Sequence, residues 1–503
     1  MTNPEVAVSL NANKVISYLQ KSPDSFTKAD IIRFIKDNGI RMVDFMYPAG
    51  DGRIKTLNFV INDEQYLENI LTYGERVDGS SLFPFIEAGK SDLYVVPRFR
   101  TAFVDPFAEI PTLTMLCAYF DRDGKRLESS PDFTLHKACK ALHDEFGVDF
   151  QAMGELEYYV ISDEDPAFPA ENQHGYHESD PFAKFNNFRT ECMHAIAQAG
   201  GRIKYGHSEV GNFTLGGKNY EQNEIEFLPV PAEDAADQIT IAKWIIRTLA
   251  WKRGLDVTFA PKITVGKAGS GMHIHMRLMK DGKSVTVENG RLSELSRRAI
   301  AGLMLVAPSV TAFGNTAPVS YFRLVPHQEA PTNICWGYSN RSALVRVPLG
   351  WTGKNDMCAA ANPQEVAKAA DGSFKQTFEM RSPDGSANAY LLIAALCVGI
   401  RLGLEMPDGL ERAERTFVDV DIHKPENAER LAQLESLPDS CEASADCLEQ
   451  QRAYYEAMGV FDARAIDGTL ARLRSFHDRT LRHDIEGNPK KVADLVRTYI
   501  HCG

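Results

Sequence analysis

Residues 153–159, Met-Gly-Glu-Leu-Glu-Tyr-Tyr, set Glu155 and Glu157 two positions apart in an apolar frame that includes Phe150, Leu156, Tyr158, Tyr159, Val160 and Ile161. That composition favours a strand, where residues i and i+2 share a face. Two carboxylates then stand side by side over a sheet that should be buried. Like charges this close do not both stay ionised in an apolar setting, so a proton is taken up or a cation lies between them. Taken alone, the pair also suits a solvated strand face. Its repetition elsewhere is what constrains the chain.

Glu224 and Glu226 repeat the spacing in Gln-Asn-Glu-Ile-Glu-Phe, His273 and His275 in Gly-Ser-Gly-Met-His-Ile-His, and Glu379 and Arg381 in Phe-Glu-Met-Arg. Glu209 lies near the end of a further β-like run at 203–210. Hard divalent ions such as Mg²⁺ and Mn²⁺ prefer carboxylate oxygens, and Mn²⁺ tolerates an imidazole. Glu155, Glu157, Glu209, Glu224 and Glu379 with one histidine would suit roughly two or three such ions. A cationic set follows: Arg323, then Glu329 between Pro326 and Pro331, then Arg341 and Arg346. Arginine's planar fork holds phosphate or carboxylate bidentately. Metals and arginines together in an acidic chain describe a nucleotide-polyphosphate site. With no GxxxxGK[ST] segment, the phosphates would be held by metals and arginines rather than by a backbone cradle.

The 503 residues exceed one ordinary core, so more than one domain is expected. A net charge of -13 with no basic tract argues against nucleic-acid and anionic-membrane partners. The longest apolar stretches, 299–310 and 389–400, are too short to span a bilayer. Nine cysteines without CxxC spacing read as reduced thiols, and a cytoplasmic protein is expected.

Along the chain, Thr27 is expected to cap a helix over 31–38. Strands at 41–47 and 54–61 flank the turn Pro48-Ala49-Gly50-Asp51-Gly52. Residues 15–110 read as a small sheet domain. Residues 111–503 read as a larger domain that opens with a strand at 112–119 and then alternates strands and helices. Core helices are expected at 293–311 and 387–404, a glycine-rich segment at 211–219, and a charged helical layer after residue 408.

These motifs, in this order, resemble glutamine synthetase over about residues 30–500, in its bacterial type I form. The carrying segments are Gly-Glu155-Leu-Glu157, His-x-Glu209, Gln-Asn-Glu224, Lys262 with Gly269-Ser-Gly-Met-His273-Ile-His275, Arg323-Leu-Val-Pro with Glu329-Ala-Pro, Asn340-Arg341-Ser with Arg346-Val-Pro, and Glu379-Met-Arg381. The resemblance implies an α+β fold: a β-grasp-like N-terminal domain plus a catalytic domain with a curved antiparallel sheet and helices. It implies self-association into stacked rings with active sites between neighbouring subunits. It also implies ATP- and Mg²⁺- or Mn²⁺-dependent formation of γ-glutamyl phosphate from glutamate, which ammonium then converts to glutamine. Carried over by position, Glu157, Glu209 and Glu224 resemble ligands of one metal, and Glu155, His273 and Glu379 ligands of the other. Arg323 and Gly269 resemble glutamate-binding positions. Glu329 resembles the acid that closes the site and accepts a proton. Arg341 and Arg381 resemble cations that stabilise the transferring phosphate, His275 and Arg346 nucleotide-side residues, and Tyr176 the tyrosine beside the ammonium pocket.

The departures concern the acceptor. Ala49 stands where the family has an Asp, supplied by a neighbouring subunit, that deprotonates ammonium; Asp51 is the candidate replacement. Ala268 replaces an Asn at the glutamate amino end, and Thr377 an Arg. Extra residues around 212–220 imply a longer loop there, and no tyrosine-centred loop for adenylylation is found. Two alternatives stay open: a γ-glutamyl ligase for another primary amine, and a non-catalytic ring-forming regulator.

Overall fold

The computed structural model describes residues 10–503 except 88, 90, 170, 327–329, 351–354 and 369–370. Helix Lys28–Asp37 begins where Thr27 accepts from the Asp30 amide and the Asp30 carboxylate accepts from the Thr27 amide, a reciprocal cap. Strands β1 (Met42–Pro48), β2 (Ile54–Val60), β3 (Glu75–Asp78), β4 (Asp92–Pro97), β5 (Phe103–Val104) and β6 (Thr112–Phe120) form the first sheet, in the order β2-β1-β6-β4-β3, with β5 on β6. β1 and β6 pair in parallel, Met42 opposite Thr112 through Met46 opposite Leu116; the other pairs are antiparallel.

The strand at 112–119, expected to open the larger domain, therefore lies in the middle of the first sheet. It is buried along nearly its whole length because it has a strand on each side. A boundary near residue 110 would cut it from its partners.

The second sheet follows β7 (Asp149–Asp163), β8 (Ile203–Leu215), β9 (Lys218–Phe227), β10 (Val230–Pro231), β11 (Asp256–Thr258), β12 (Met272–Lys280) and β13 (Lys283–Ser284). After the small ribbon β14 (Val287–Glu288) and β15 (Arg291–Leu292) come β16 (Trp336–Tyr338), β17 (Val345–Val347) and β18 (Phe378–Met380). Its order is β16-β17-β18-β12-β7-β9-β8, antiparallel except at β16–β17. The glycine-rich segment expected at 211–219 is strand as far as Leu215, and Gly216 and Gly217, both at positive φ, turn the chain directly into β9. The extra residues lengthen a hairpin rather than a loop.

Behind this sheet lie the helices. Glu294–Gly314 and Ala389–Glu405 are buried along nearly all their length, and they meet at Gly302, where a Cβ would sit 1.9 Å from the Gly399 carbonyl oxygen. Two domains join through a buried cluster in which Arg98 holds Asp237 bidentately (2.7 and 3.0 Å) and the Tyr390 hydroxyl donates to the same carboxylate. Among the described residues, no single helix is long and apolar enough to cross a membrane.

Candidate active site

The register of four adjacent strands builds the site. Directly opposite residues in an antiparallel ladder share a face. One row crosses β12, β7, β9 and β8 as His273, Glu155, Glu226 and Tyr205. A neighbouring row runs Glu157, Glu224 and His207. On the other side, His275 faces Glu379, which pairs with Arg346 on β17. Every i, i+2 pair seen in the sequence thus lands on one face, and β8 adds Tyr205 and His207.

Glu209 lies two residues beyond His207, at the point where β8 becomes irregular. Ser208 opposes Asn223 but Asn212 opposes Glu221, so β8 carries two extra residues between matched positions. A bulge of this kind re-aims side chains. Gly211 closes it: its amide donates to Gln222 Oε1 (2.9 Å), and a Cβ there would fall 1.9 Å from the Tyr159 hydroxyl.

At one end of the face, charges are paired. His275 Nε2 lies 2.7 Å from Glu155 Oε1 and 2.5 Å from Glu379 Oε2, and its Nδ1 lies 2.8 Å from the Thr377 hydroxyl. His273 Nδ1 lies 2.9 Å from Glu155 Oε2. Arg346 reaches Glu379 Oε1 at 3.1 Å, with Arg381 Nε 3.5 Å away. Burial opposes the imidazolium of His275, but Glu155 and Glu379 outweigh it and raise the ring to about 10. Burial likewise disfavours ionised Glu155 and Glu379, yet the histidines hold both carboxyls below the usual range. Glu155, His275 and Glu379 offer ligand atoms within 4.8 Å of one another. The resemblance divides the two histidines otherwise; here both touch Glu155, and His275 also reaches Glu379.

At the opposite end, carboxylates accumulate with little to offset them. Glu157 Oε2 accepts from the Gly271 amide (2.7 Å) and from Gln222 Nε2 (3.0 Å). His207 stands 3.7 Å from Glu209 through Nδ1 and 3.7 Å from Glu224 through Nε2, and burial lowers its basicity. Burial, then Glu157, push Glu209 up to about 7. Burial, then Glu155, Glu157 and Glu209, push Glu224 well above its ordinary range. His207, Glu224 and Glu226 form a second group of closely set ligand atoms. Hard oxygen donors that resist ionising together are a donor set for a divalent cation, so the residues present fit such an ion.

Arg323 spans the floor. It is buried, Nη1 donates to the Ser382 carbonyl (2.7 Å), and Nη2 lies 3.4 Å from His273 Nε2. Gly269 and Gly271 make room for it: a Cβ at Gly269 would sit 2.9 Å from Arg323 Cγ, and one at Gly271 2.4 Å from Nη2. Arg381 donates to the Arg341 carbonyl, while the Arg341 side chain is exposed and acts electrostatically on the Tyr176 phenol.

Tyr176 belongs to an aromatic cluster that the sequence reading missed. It stacks on His177 (4.1 Å between centroids) and meets His207 edge-on (5.6 Å); His177 and Tyr205 lie 4.2 and 5.8 Å from His207. Tyr205 and Lys204 also reach Glu226. The alternation Tyr205, His207, Glu209 was the available signal. Glu329 lies outside the described residues. Asp51 is not part of this chain's own carboxylate face. It accepts from the Arg53 amide, and its turn packs on Asn388, whose Nδ2 donates to the Ala49 carbonyl.

Comparison with known proteins gives one family. The profile described as "Glutamine synthetase, catalytic domain" matches residues 128–471, and "Glutamine synthetase, beta-Grasp domain" matches residues 39–122. The glutamine synthetase of Frankia alni is 31% identical over 484 residues, covering 88% of this chain and 94% of that protein. That of Nostoc sp. is 30% identical over 472 residues, covering 86% and 92%. Among solved structures, Plasmodium falciparum glutamine synthetase superposes with a TM-score of 0.73 at 20% identity over 91% of this chain and 97% of that one.

Proposed function

This chain belongs to the glutamine synthetase family, and from that premise we propose that it ligates ammonia to the γ-carboxylate of glutamate, using ATP and divalent metal. The carrying observation is the carboxylate–histidine face on β7, β9 and β12, bordered by Arg323, Arg346 and Arg381.

In this reading Glu157, Glu209 and Glu224 hold one divalent ion. Glu155, His273 and Glu379 would hold the other, with Mg²⁺ or Mn²⁺ both suited to the donors. When bound, such ions neutralise the phosphates and polarise the phosphoryl group. Arg323, with Gly269 beside it, receives the glutamate carboxylate. Arg346 and His275 face the nucleotide. Arg341 and Arg381 stabilise the negative charge of phosphoryl transfer, in which the γ-carboxylate oxygen attacks the γ-phosphorus and ADP leaves. Ammonium binds between Tyr176 and Glu209. Glu329 accepts its proton, and the Glu209 carboxylate supplies negative charge beside the ammonium. The free amine then attacks the acyl carbon; a C–N bond forms, the C–O bond breaks, and phosphate departs.

Asp51 would enter from a neighbouring chain of a ring assembly; in its own chain its turn packs on Asn388. Nine cysteines, all free, fit a reducing compartment such as the cytoplasm.

A second reading is favoured by the aromatic cluster of Tyr176, His177, His207 and Tyr205. Rings beside carboxylates suit an organic ammonium group through cation–π contact as well as charge. One experiment tests both: phosphate release and γ-glutamyl product formation by purified protein with ATP, glutamate and Mg²⁺, comparing ammonium with primary amines. Ammonium-dependent glutamine supports the first reading, and turnover with an alkyl amine alone supports the second. Turnover with neither overturns both.

A further inference from the structure

Away from the carboxylate face, a cavity of about 370 Å³ lies between the first sheet's turns and the helices of the second domain. Its body is apolar. Phe83 and Phe85 wall one side, Phe313 and Leu473 the other, and helix Ala463–Arg474 approaches so closely that a Cβ on Gly468 would stand 2.7 Å from the Phe85 ring.

Most polar groups in the wall are already hydrogen-bonded, among them Ser80, Ser81, Thr316, Asn388 and Thr469. Ser129 is 2% exposed, and its hydroxyl has no hydrogen-bond partner among the described residues. Lys55 and Arg472 also line the cavity; both are exposed and neither is in an ion pair among the described residues. The lining contains one carboxylate, Asp51, so two cations face a single anion.

We propose that this cavity is a binding site for a small aromatic carboxylate. The ring lies among Phe83, Phe85 and Phe313, and the carboxylate takes Lys55 and Arg472. The volume admits a single substituted ring, not a nucleotide. The assignment uses no ATP, glutamate or metal, although Asp51, which the catalytic reading sends to a neighbouring chain, lines the same cavity.

Calorimetric titration of the full-length protein without nucleotide or metal tests it, with 3-(4-hydroxyphenyl)propanoate as the probe and its uncharged amide as the control. The carboxylate is expected to bind with a Kd below about 1 mM, and the amide at least about tenfold more weakly. Arg472→Glu, a change at an exposed position, should weaken the carboxylate at least about tenfold. Ala465→Phe, which fills the cavity, should abolish binding; if that variant fails to fold, Arg472→Glu decides alone. No saturable binding by the parent protein up to about 10 mM overturns the proposal. So does equal affinity for the amide, or binding unchanged in Arg472→Glu or in a folded Ala465→Phe protein.

Discussion

The two ends of the carboxylate face are built from the same side chain and reach opposite electrostatic states. Around Glu155 and Glu379, two histidines, Arg346 and Arg381 supply positive charge, and the carboxyls are held low. Around Glu157, Glu209 and Glu224, backbone and side-chain amides and a weakly basic His207 are the neighbours, and Glu209 and Glu224 are driven up. Burial is similar at both ends, so partner charge and not desolvation makes the difference. At the paired end the charges offset one another within the chain. At the repelling end, uptake of a proton or of an incoming cation relieves the repulsion.

That contrast predicts opposite signs for similar substitutions. Glu379→Gln should leave His275, Arg346 and Arg381 without their shared anion. Breaking a buried pair this way costs about 3–5 kcal/mol, which thermal or denaturant unfolding of the metal-free protein will show. Stability equal to the parent's would mean that the paired end is not what holds those cations.

Next in size is the contribution from outside the chain. Asp51→Ala should raise the ammonium KM by about tenfold or more, the worth of one charge-assisted contact, with the melting temperature unchanged. An unaltered KM would mean that Glu209 and Glu329 complete the acceptor end unaided.

Smallest is the mirror of the first. Glu224→Gln should make the metal-free protein more stable, by about 1 kcal/mol, because it removes one of several repelling buried charges. The pH dependence carries the same sign. Native Glu209 keeps its proton up to about 7, whereas an unfolded glutamate loses it near 4.3. Between those values the native state binds more protons, so metal-free stability falls as pH rises through that window. A slope of opposite sign would contradict the repulsion.

Much of this site was legible because strands have a period of two. Glu155 with Glu157, Glu224 with Glu226, His273 with His275, and Glu379 with Arg381 each share a face by spacing alone, and the ladders align them. What was not legible depended on long-range register. The two extra residues that interrupt β8 beside Glu209 are a mismatch with β9, which no local pattern reports. Thr377, read as the loss of an arginine, proves to orient His275 across β12–β18. The strand Thr112–Phe120 was placed by chain continuity, whereas its parallel pairing to β1 joins segments about seventy residues apart in sequence. Glycines 216 and 217 suggested a loop where they form only the tip of a hairpin.

The claim at the centre is that the Glu157–Glu209–Glu224 end is a divalent-cation site kept partly protonated until the ion arrives. Calorimetric Mn²⁺ titration in buffers of differing ionisation heat, from about pH 5.5 to about pH 8, measures affinity and proton release together. Affinity should rise with pH and level off above about 7, with roughly one proton released per ion below that point, and Glu157→Gln should weaken the binding. Affinity and proton count that do not change across this range, or Mn²⁺ binding indifferent to Glu157→Gln, would contradict the account.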